Sequence, residues 1–270
     1  MNAVLWPALY VLALWWLSTG LILLLVRLPP RTFPTTMAWA GVVLAAALWG
    51  LVHTRTDTGP TGAWCAFSCA LLVWAWQELA FLLGIVTGPR RTACPPGVQG
   101  WARARLALAT LAHHELALVA LAVAVWLAVG DGANRVGWWT YVALWAMRQS
   151  AKLNLFLGAR NHSEAFLPAH LKYLHSYFRR APANPLLPVS LAAMAAAGGW
   201  VLQQWPLATA SGADTAGLAL LGTLLALGAL EHLMLVAPMP PELLWRWSLP
   251  ARGEPPVAGS PTGRALTPPP

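Results

Sequence analysis

WAMRQSAKLNLFLGARNHSEAFLPAHLKYLHSYFRR, residues Trp145 to Arg180, begins inside an apolar run and carries Arg148, Gln149, Lys152 and Asn154 before leaving it. A charge near a bilayer centre costs about 2.5–3.5 kcal/mol even on lenient insertion scales, so two cations one helical turn apart require anionic partners or water. Those partners have to come from other helices. The rest of the chain is read around that requirement.

Composition sets the class. Of 270 residues, 58% are hydrophobic and 10% charged, against roughly 25% charged in an ordinary soluble domain. Several separate apolar runs reach the length of about 20 residues that matches the hydrocarbon thickness at 1.5 Å per residue. The chain therefore reads as all-α, a polytopic membrane helix bundle of about seven transmembrane helices plus an amphipathic helix on the cytoplasmic side. The spans fall at about 3–26, 37–52, 63–86, 106–129, 137–158, 185–202 and 215–237 within a transmembrane domain of residues 1–240. Residues 241–270 form a Pro/Gly-rich tail expected to be disordered from Pro250. The sixth span is the weakest, because Pro185 and Pro188 crowd its start.

The net charge of +8 does not point to nucleic acid, because the cations sit in short connections, where they set orientation. One set of alternate connections holds Arg27, Arg31, Arg90, Arg91, Arg103, Arg105, Arg160, Lys172, Arg179 and Arg180. The other holds only Arg55 and Arg135. Positive charge stays on the cytoplasmic side, so the N-terminus is periplasmic and the C-terminus cytoplasmic. Between the fifth and sixth spans, Leu167, Leu171, Leu174 and Phe178 recur at helical spacing, with His170, Lys172, His175 and Arg179 on other faces. That pattern predicts a helix lying on the membrane surface among lipid head groups. Arg90, Arg91, Asn161, His170, Lys172, Arg179 and Arg180 are the candidate cytoplasmic contact residues.

The ionisable residues inside the spans are the candidate site. They are Glu78 beside Gln77, the run His113, His114 and Glu115, the set Arg148, Gln149, Lys152 and Asn154, and the pair Glu231 and His232. Counted from the cytoplasmic ends of the expected spans, each group falls about 10–15 Å deep at helical rise. One polar layer results. Three readings fit it: a buried ion-pair network fixing helix register, a metal site using Glu78, His114, Glu115, Glu231 and His232, or an imidazole ligating a tetrapyrrole. The metal reading departs from the Glu-x-x-His pattern of di-iron bundles, since His114–Glu115 and Glu231–His232 are neighbours pointing about 100° apart. The three cysteines, Cys65, Cys69 and Cys94, have no metal spacing and form no disulfide framework. Phosphate-binding glycine loops and a Gly-x-Ser-x-Gly elbow are absent from the sequence.

The strings CAFSCALLVWAWQELAFLLGIVTGPRRTACPPG, HHELA, LWAMRQSAKLNLFLGARN, FLPAHLKYLHSYFRR and LEHLML resemble the PuhE-type family, photosynthetic complex assembly protein 2, of purple phototrophic bacteria. The resemblance extends to about Trp247. It implies a multi-pass protein of the bacterial inner (intracytoplasmic) membrane that assists assembly of the reaction-centre and light-harvesting complex or the supply of bacteriochlorophyll to it. Partners on that reading are membrane lipids and reaction-centre or antenna subunits or pigment-synthesis proteins, and the cofactor is bacteriochlorophyll or a related tetrapyrrole rather than a bound metal. The resemblance brings no established catalytic residues. The alternative from a different class is a membrane metalloenzyme acting on a tetrapyrrole or lipid through the Glu/His set.

Overall fold

In a computed structural model, which describes residues 2–162, 164–210, 215–238 and 241–249, the chain forms seven α-helices. They are α1 (Asn2–Leu25), α2 (Phe33–Thr54), α3 (Pro60–Leu82), α4 (Gly100–Val129), α5 (Val136–Leu157), α6 (Leu186–Ala210) and α7 (Ala216–Met234). Among the described residues there is no strand, only a single parallel bridge between Ala159 and Arg180. All the helices except α5 are long and apolar enough to cross a membrane on their own. α5 has the length, 22 residues, but carries the four polar residues that opened the sequence reading. It packs against α3, α4, α6 and α7. The protein is a polytopic helical membrane bundle.

Helix starts follow local chemistry. Pro34 and Pro60 sit in the first turns of α2 and α3, where a missing N–H is no loss. Asn134 Oδ1 accepts from Val136 N at 3.2 Å and Asn184 Oδ1 from Leu186 N at 2.9 Å, so asparagine satisfies a free donor at the start of α5 and α6. Pro188 then falls within the first turns of α6, where it breaks nothing. The helix runs eight residues past the expected end at Leu202 and takes in Pro206, a break that membrane helices tolerate.

α3 is central. On one side Leu51, Val73, Val125 and Tyr141 join α2, α3, α4 and α5; on the other Val11, Phe67, Met147, Met194 and Leu224 join α1, α3, α5, α6 and α7. Lipid chains are as apolar as leucine, so close backbone approach rather than water exclusion drives helix association, and small residues line such contacts. Ala66, Ala70 and Ala80 of α3 are buried accordingly. At Gly228 the packing is closest, because a Cβ there would overlap Met147 Sδ. Trp6, Trp39, Leu116, Leu202 and other large apolar side chains face outward.

Arg27, Arg90, Arg91, Arg160 and the Leu167–Phe178 segment gather at one end of the bundle, called here the basic end. Arg160 N and Asn161 N both donate to Leu235 O, and Asn161 Nδ2 donates to Met234 O and Ala237 O, so the connection after α5 is tied to the end of α7. The segment expected as a surface α-helix is instead a 3-10 helix, Ala169–Tyr177. Its buried residues are Leu171, Leu174 and Tyr177, the three-residue repeat of that geometry. They pack on Phe81 and Leu111 of the bundle. The expected 167/171/174/178 face therefore gains Tyr177, while Leu167 and Phe178 remain half-buried.

The start of the tail is structured. A 3-10 turn, Pro241–Trp245, lies against α1: Trp245 Nε1 donates to Trp16 O (3.0 Å) and Trp16 Nε1 to Leu244 O (2.8 Å). Trp245 meets Trp15 edge-on at 5.0 Å. The Pro/Gly-rich stretch expected to be disordered, 250–270, lies outside the described residues.

Candidate functional site in the membrane layer

Arg148 and Lys152, one turn apart on α5, point to different helices. Arg148 Nη2 donates to Glu78 Oε2 of α3 at 2.8 Å, and Lys152 Nζ to Glu115 Oε1 of α4 at 2.7 Å. Gln149 Nε2 donates to Glu115 Oε2 at 2.6 Å, so that carboxylate holds a partner on each oxygen. Gln77 Nε2 reaches Glu78 Oε1 at 3.1 Å. Charged groups of α3 and α4 thus converge on those of α5. They do so although Glu78 is four residues from the end of α3 and Glu115 fifteen from the start of α4. The depth count from expected span ends does not hold, because the helices are staggered and α4 extends two turns past the expected start at Leu106.

The second half of the layer is a hydrogen-bonded string without Arg, Lys, Asp or Glu. His232 Nδ1 lies 2.8 Å from Gly228 O and Nε2 2.9 Å from Ser150 Oγ. Ser150 is 2.8 Å from Ser190 Oγ, which accepts from Asn154 Nδ2 at 3.0 Å. Asn184 Nδ2 continues the chain to Asn154 Oδ1 at 3.0 Å and Gly158 O at 2.7 Å. A polar string therefore joins α5, α6 and α7, its members hydrogen-bonded and all but half-buried Ser150 buried, the condition for polar groups in a medium that offers no water. Ser150, Ser190 and Asn184 were not singled out in the sequence. The signal available was the i,i+4 spacing of Ser150 and Asn154.

Glu231 differs from both halves. Trp15 Nε1 donates to its Oε1 at 2.6 Å, and protein surrounds it on the bundle side, yet the residue keeps an open face. Arg148 has a side chain 40% exposed. The layer contains two cations and three carboxylates, and the two ion pairs use two of those carboxylates. Glu231 is left with an indole rather than a cation as its hydrogen-bonding partner. Trp15, in sequence one of many apolar-run tryptophans, is thus part of the site.

The five residues proposed as metal ligands are not brought together. Among the described residues no three of His, Cys, Asp and Glu converge as a metal site requires. Glu78 and Glu115 are bound to cations, His232 to Gly228 and Ser150, and Glu231 to Trp15. His113 points outward while His114 is fully buried, as adjacent helical positions must. The His114 ring lies 4.5 Å from Phe81, and both its nitrogens are without hydrogen-bond partners. Axial ligation of a tetrapyrrole needs an open face on the imidazole, and fully buried His114 has none. A cavity at the basic end encloses about 130 Å³, below the roughly 300–1,000 Å³ of pockets that enclose drug-sized ligands. The residues present do not fit an enclosed tetrapyrrole there.

At the basic end, Arg90 Nε donates to Tyr177 Oη at 2.6 Å, and Arg103 spans Phe156 O and Tyr177 O with its guanidinium 4.3 Å over the Phe156 ring. Arg90 and Asn161 are thus structural ties. Arg91, His170, Lys172, Arg179 and Arg180 present exposed surface.

A relative in Rhodobacter capsulatus, described as "Uncharacterized 30.4 kDa protein in puhA 5'region", is 38% identical over 252 residues, covering 92% of each chain. No solved structure matches the fold. Residues 1–256 match the family model described as "Protein of unknown function (DUF3623)", and the chain belongs to that family.

Proposed function

We propose that this protein is an integral membrane assembly factor for the bacterial photosynthetic reaction-centre and light-harvesting complex. It resides in the inner (intracytoplasmic) membrane with its N-terminus periplasmic and its basic end cytoplasmic. The observation that carries this reading is the relative encoded in the puhA 5' region, alike over nearly the whole length of both chains. That likeness supports a role tied to photosynthesis. The geometry supports a contact role within it: the Glu231 carboxylate and a partly exposed Arg148 side chain opening onto the bundle surface at membrane depth suit a polar group of a client helix or of a pigment carried by one. Bacteriochlorophyll is on this reading met at the surface.

The test is Glu231→Gln, which preserves shape and an oxygen acceptor for Trp15 while removing the charge. Reaction-centre absorbance in membranes and the amount of the variant protein are measured together. A several-fold drop in complex at unchanged protein level is the expected result. Normal complex, or a parallel fall of both, overturns the reading.

A further inference from the structure

At the end of α3 the chain reverses through Gly84, whose φ of +76° lies in the left-handed region that glycine enters without penalty. A Cβ at Gly84 would also crowd the His170 ring, at 2.8 Å from Cδ2. The following loop lies against the flank of α4, with His114 N donating to Thr87 O at 2.8 Å and Arg90 N to Ala109 O at 3.2 Å. The 3-10 helix Ala169–Tyr177 covers the loop. Between them is the 130 Å³ cavity, lined by Gly84, Thr87, Arg91, His170, Leu171 and Tyr173. That is about ten times the ~10–15 Å³ a single water needs by the same measure.

The lining holds a cation, two hydroxyls and an imidazole, and no carboxylate. His170 Nε2 is 3.0 Å from Leu82 O; a carbonyl only accepts, so Nε2 carries the proton and the ring is fixed in place. Thr87 is 1% exposed. Its Oγ1 and the Tyr173 Oη lie close enough to interact with each other, with Arg91 near the phenol, while neither oxygen has a further hydrogen-bond partner. Burial pushes the Tyr173 phenol up, with Arg91 acting against it. Each hydroxyl both donates and accepts, so one can serve the other while a donor remains free, and the lining sets that donor beside a cation with no carboxylate to repel an anion.

The charge distribution says where an acceptor would come from. Of the carboxylates among the described residues, Asp57 and Asp131 lie in the opposite connections and Glu78, Glu115 and Glu231 in the layer. Among the described residues that leaves Glu164 and Glu242 against the many cations of the basic end. The cavity sits beside the end of a membrane-crossing helix, at the level where phospholipid head groups meet basic residues.

We infer that this cavity is a phosphate-binding site, with Arg91 supplying charge and Thr87 and Tyr173 supplying hydroxyl donors to a phosphate oxyanion. It does not depend on the assembly role. The phosphate is that of an anionic lipid head group or of free phosphate, and the test separates the two sources.

The full chain, purified in detergent, is followed by thermal unfolding during titration with inorganic phosphate. In a second arm it is placed in nanodiscs of phosphatidylcholine with or without phosphatidylglycerol, and retained phosphatidylglycerol is measured by native mass spectrometry. Thr87→Val and Arg91→Gln are each expected to weaken binding about tenfold, the loss of one strong donor. Lys172→Gln, an exposed cation outside the cavity, should change it less than about twofold. Thr87→Ser should bind as the parent does, and separates loss of the hydroxyl from misfolding. Saturable stabilisation by inorganic phosphate identifies free phosphate; retention of phosphatidylglycerol without a phosphate response identifies the head group. If neither probe binds, or if Lys172→Gln weakens binding as much as Thr87→Val, the attraction is diffuse surface charge and the site does not exist.

Discussion

Lys152 and Glu115 form a pair in which each side chain keeps about a fifth of its surface. Removing one partner of such a pair strands the other charge, whereas removing both leaves only a packing defect. Lys152→Met is therefore expected to cost about 3 kcal/mol, and Glu115→Gln with Lys152→Met appreciably less than the sum of the single changes. Unfolding of the detergent-solubilised chain, analysed as a double-mutant cycle, measures the difference; additive losses would mean that the pair contributes nothing. At Gly228 the close approach of Met147 makes Gly228→Ala an overpacking change of about 1–3 kcal/mol. Met147→Ala in the same chain should relieve it, because the methionine Sδ occupies the space the new methyl needs. A Gly228→Ala protein as stable as the parent would show that α5 and α7 can separate freely.

Among the elements, the 3-10 helix depends most on a single hydroxyl. Tyr177 Oη accepts from Arg90 Nε and donates to Thr92 O at 3.0 Å, joining the segment to the loop after α3. Tyr177→Phe retains the buried ring and leaves Arg90 without that acceptor, at a cost of about 1–3 kcal/mol. Faster amide exchange confined to the 87–98 loop and the 169–177 segment is expected, with the helices unchanged. Exchange that rises throughout the bundle would mean that this layer supports the whole fold. The 3-10 geometry explains why the hydrophobic face of this segment was only partly legible: 167, 171, 174 and 178 match a 3.6-residue period, whereas 171, 174 and 177 match three. Sequence spacing alone does not choose between them. Packing on Phe81 and Leu111 does.

For the whole molecule, the orientation rests on the charge asymmetry between the two ends. A reporter fused after Arg91 or Arg180 is expected to be active in the cytoplasm, and one at Asp131 in the periplasm. The reverse pattern would invert the proposed placement of the basic end. The segment after α7 also packs on α1: Trp245, 4% exposed, lies between Trp15 and Phe166 at 5.0 and 5.5 Å. Trp245→Ala is expected to destabilise the bundle by about 3 kcal/mol, as loss of a buried aromatic does, and to quicken exchange in α1. An unchanged melting temperature would mean that the 241–249 segment merely rests on α1.

Membrane class and the number of helices were legible from residue order, because a bilayer imposes a fixed length on apolar runs and makes every charge inside one conspicuous. Arg148 and Lys152 needed no partner in view to be recognised. Which carboxylate meets which cation was decided only in three dimensions, since the stagger of α3 and α4 against α5 comes from small-residue packing that leaves no periodic trace in the sequence. The same holds for Trp15. Its indole reads as one apolar residue among many until the fold sets it 2.6 Å from Glu231, a carboxylate that neither cation of the layer pairs with.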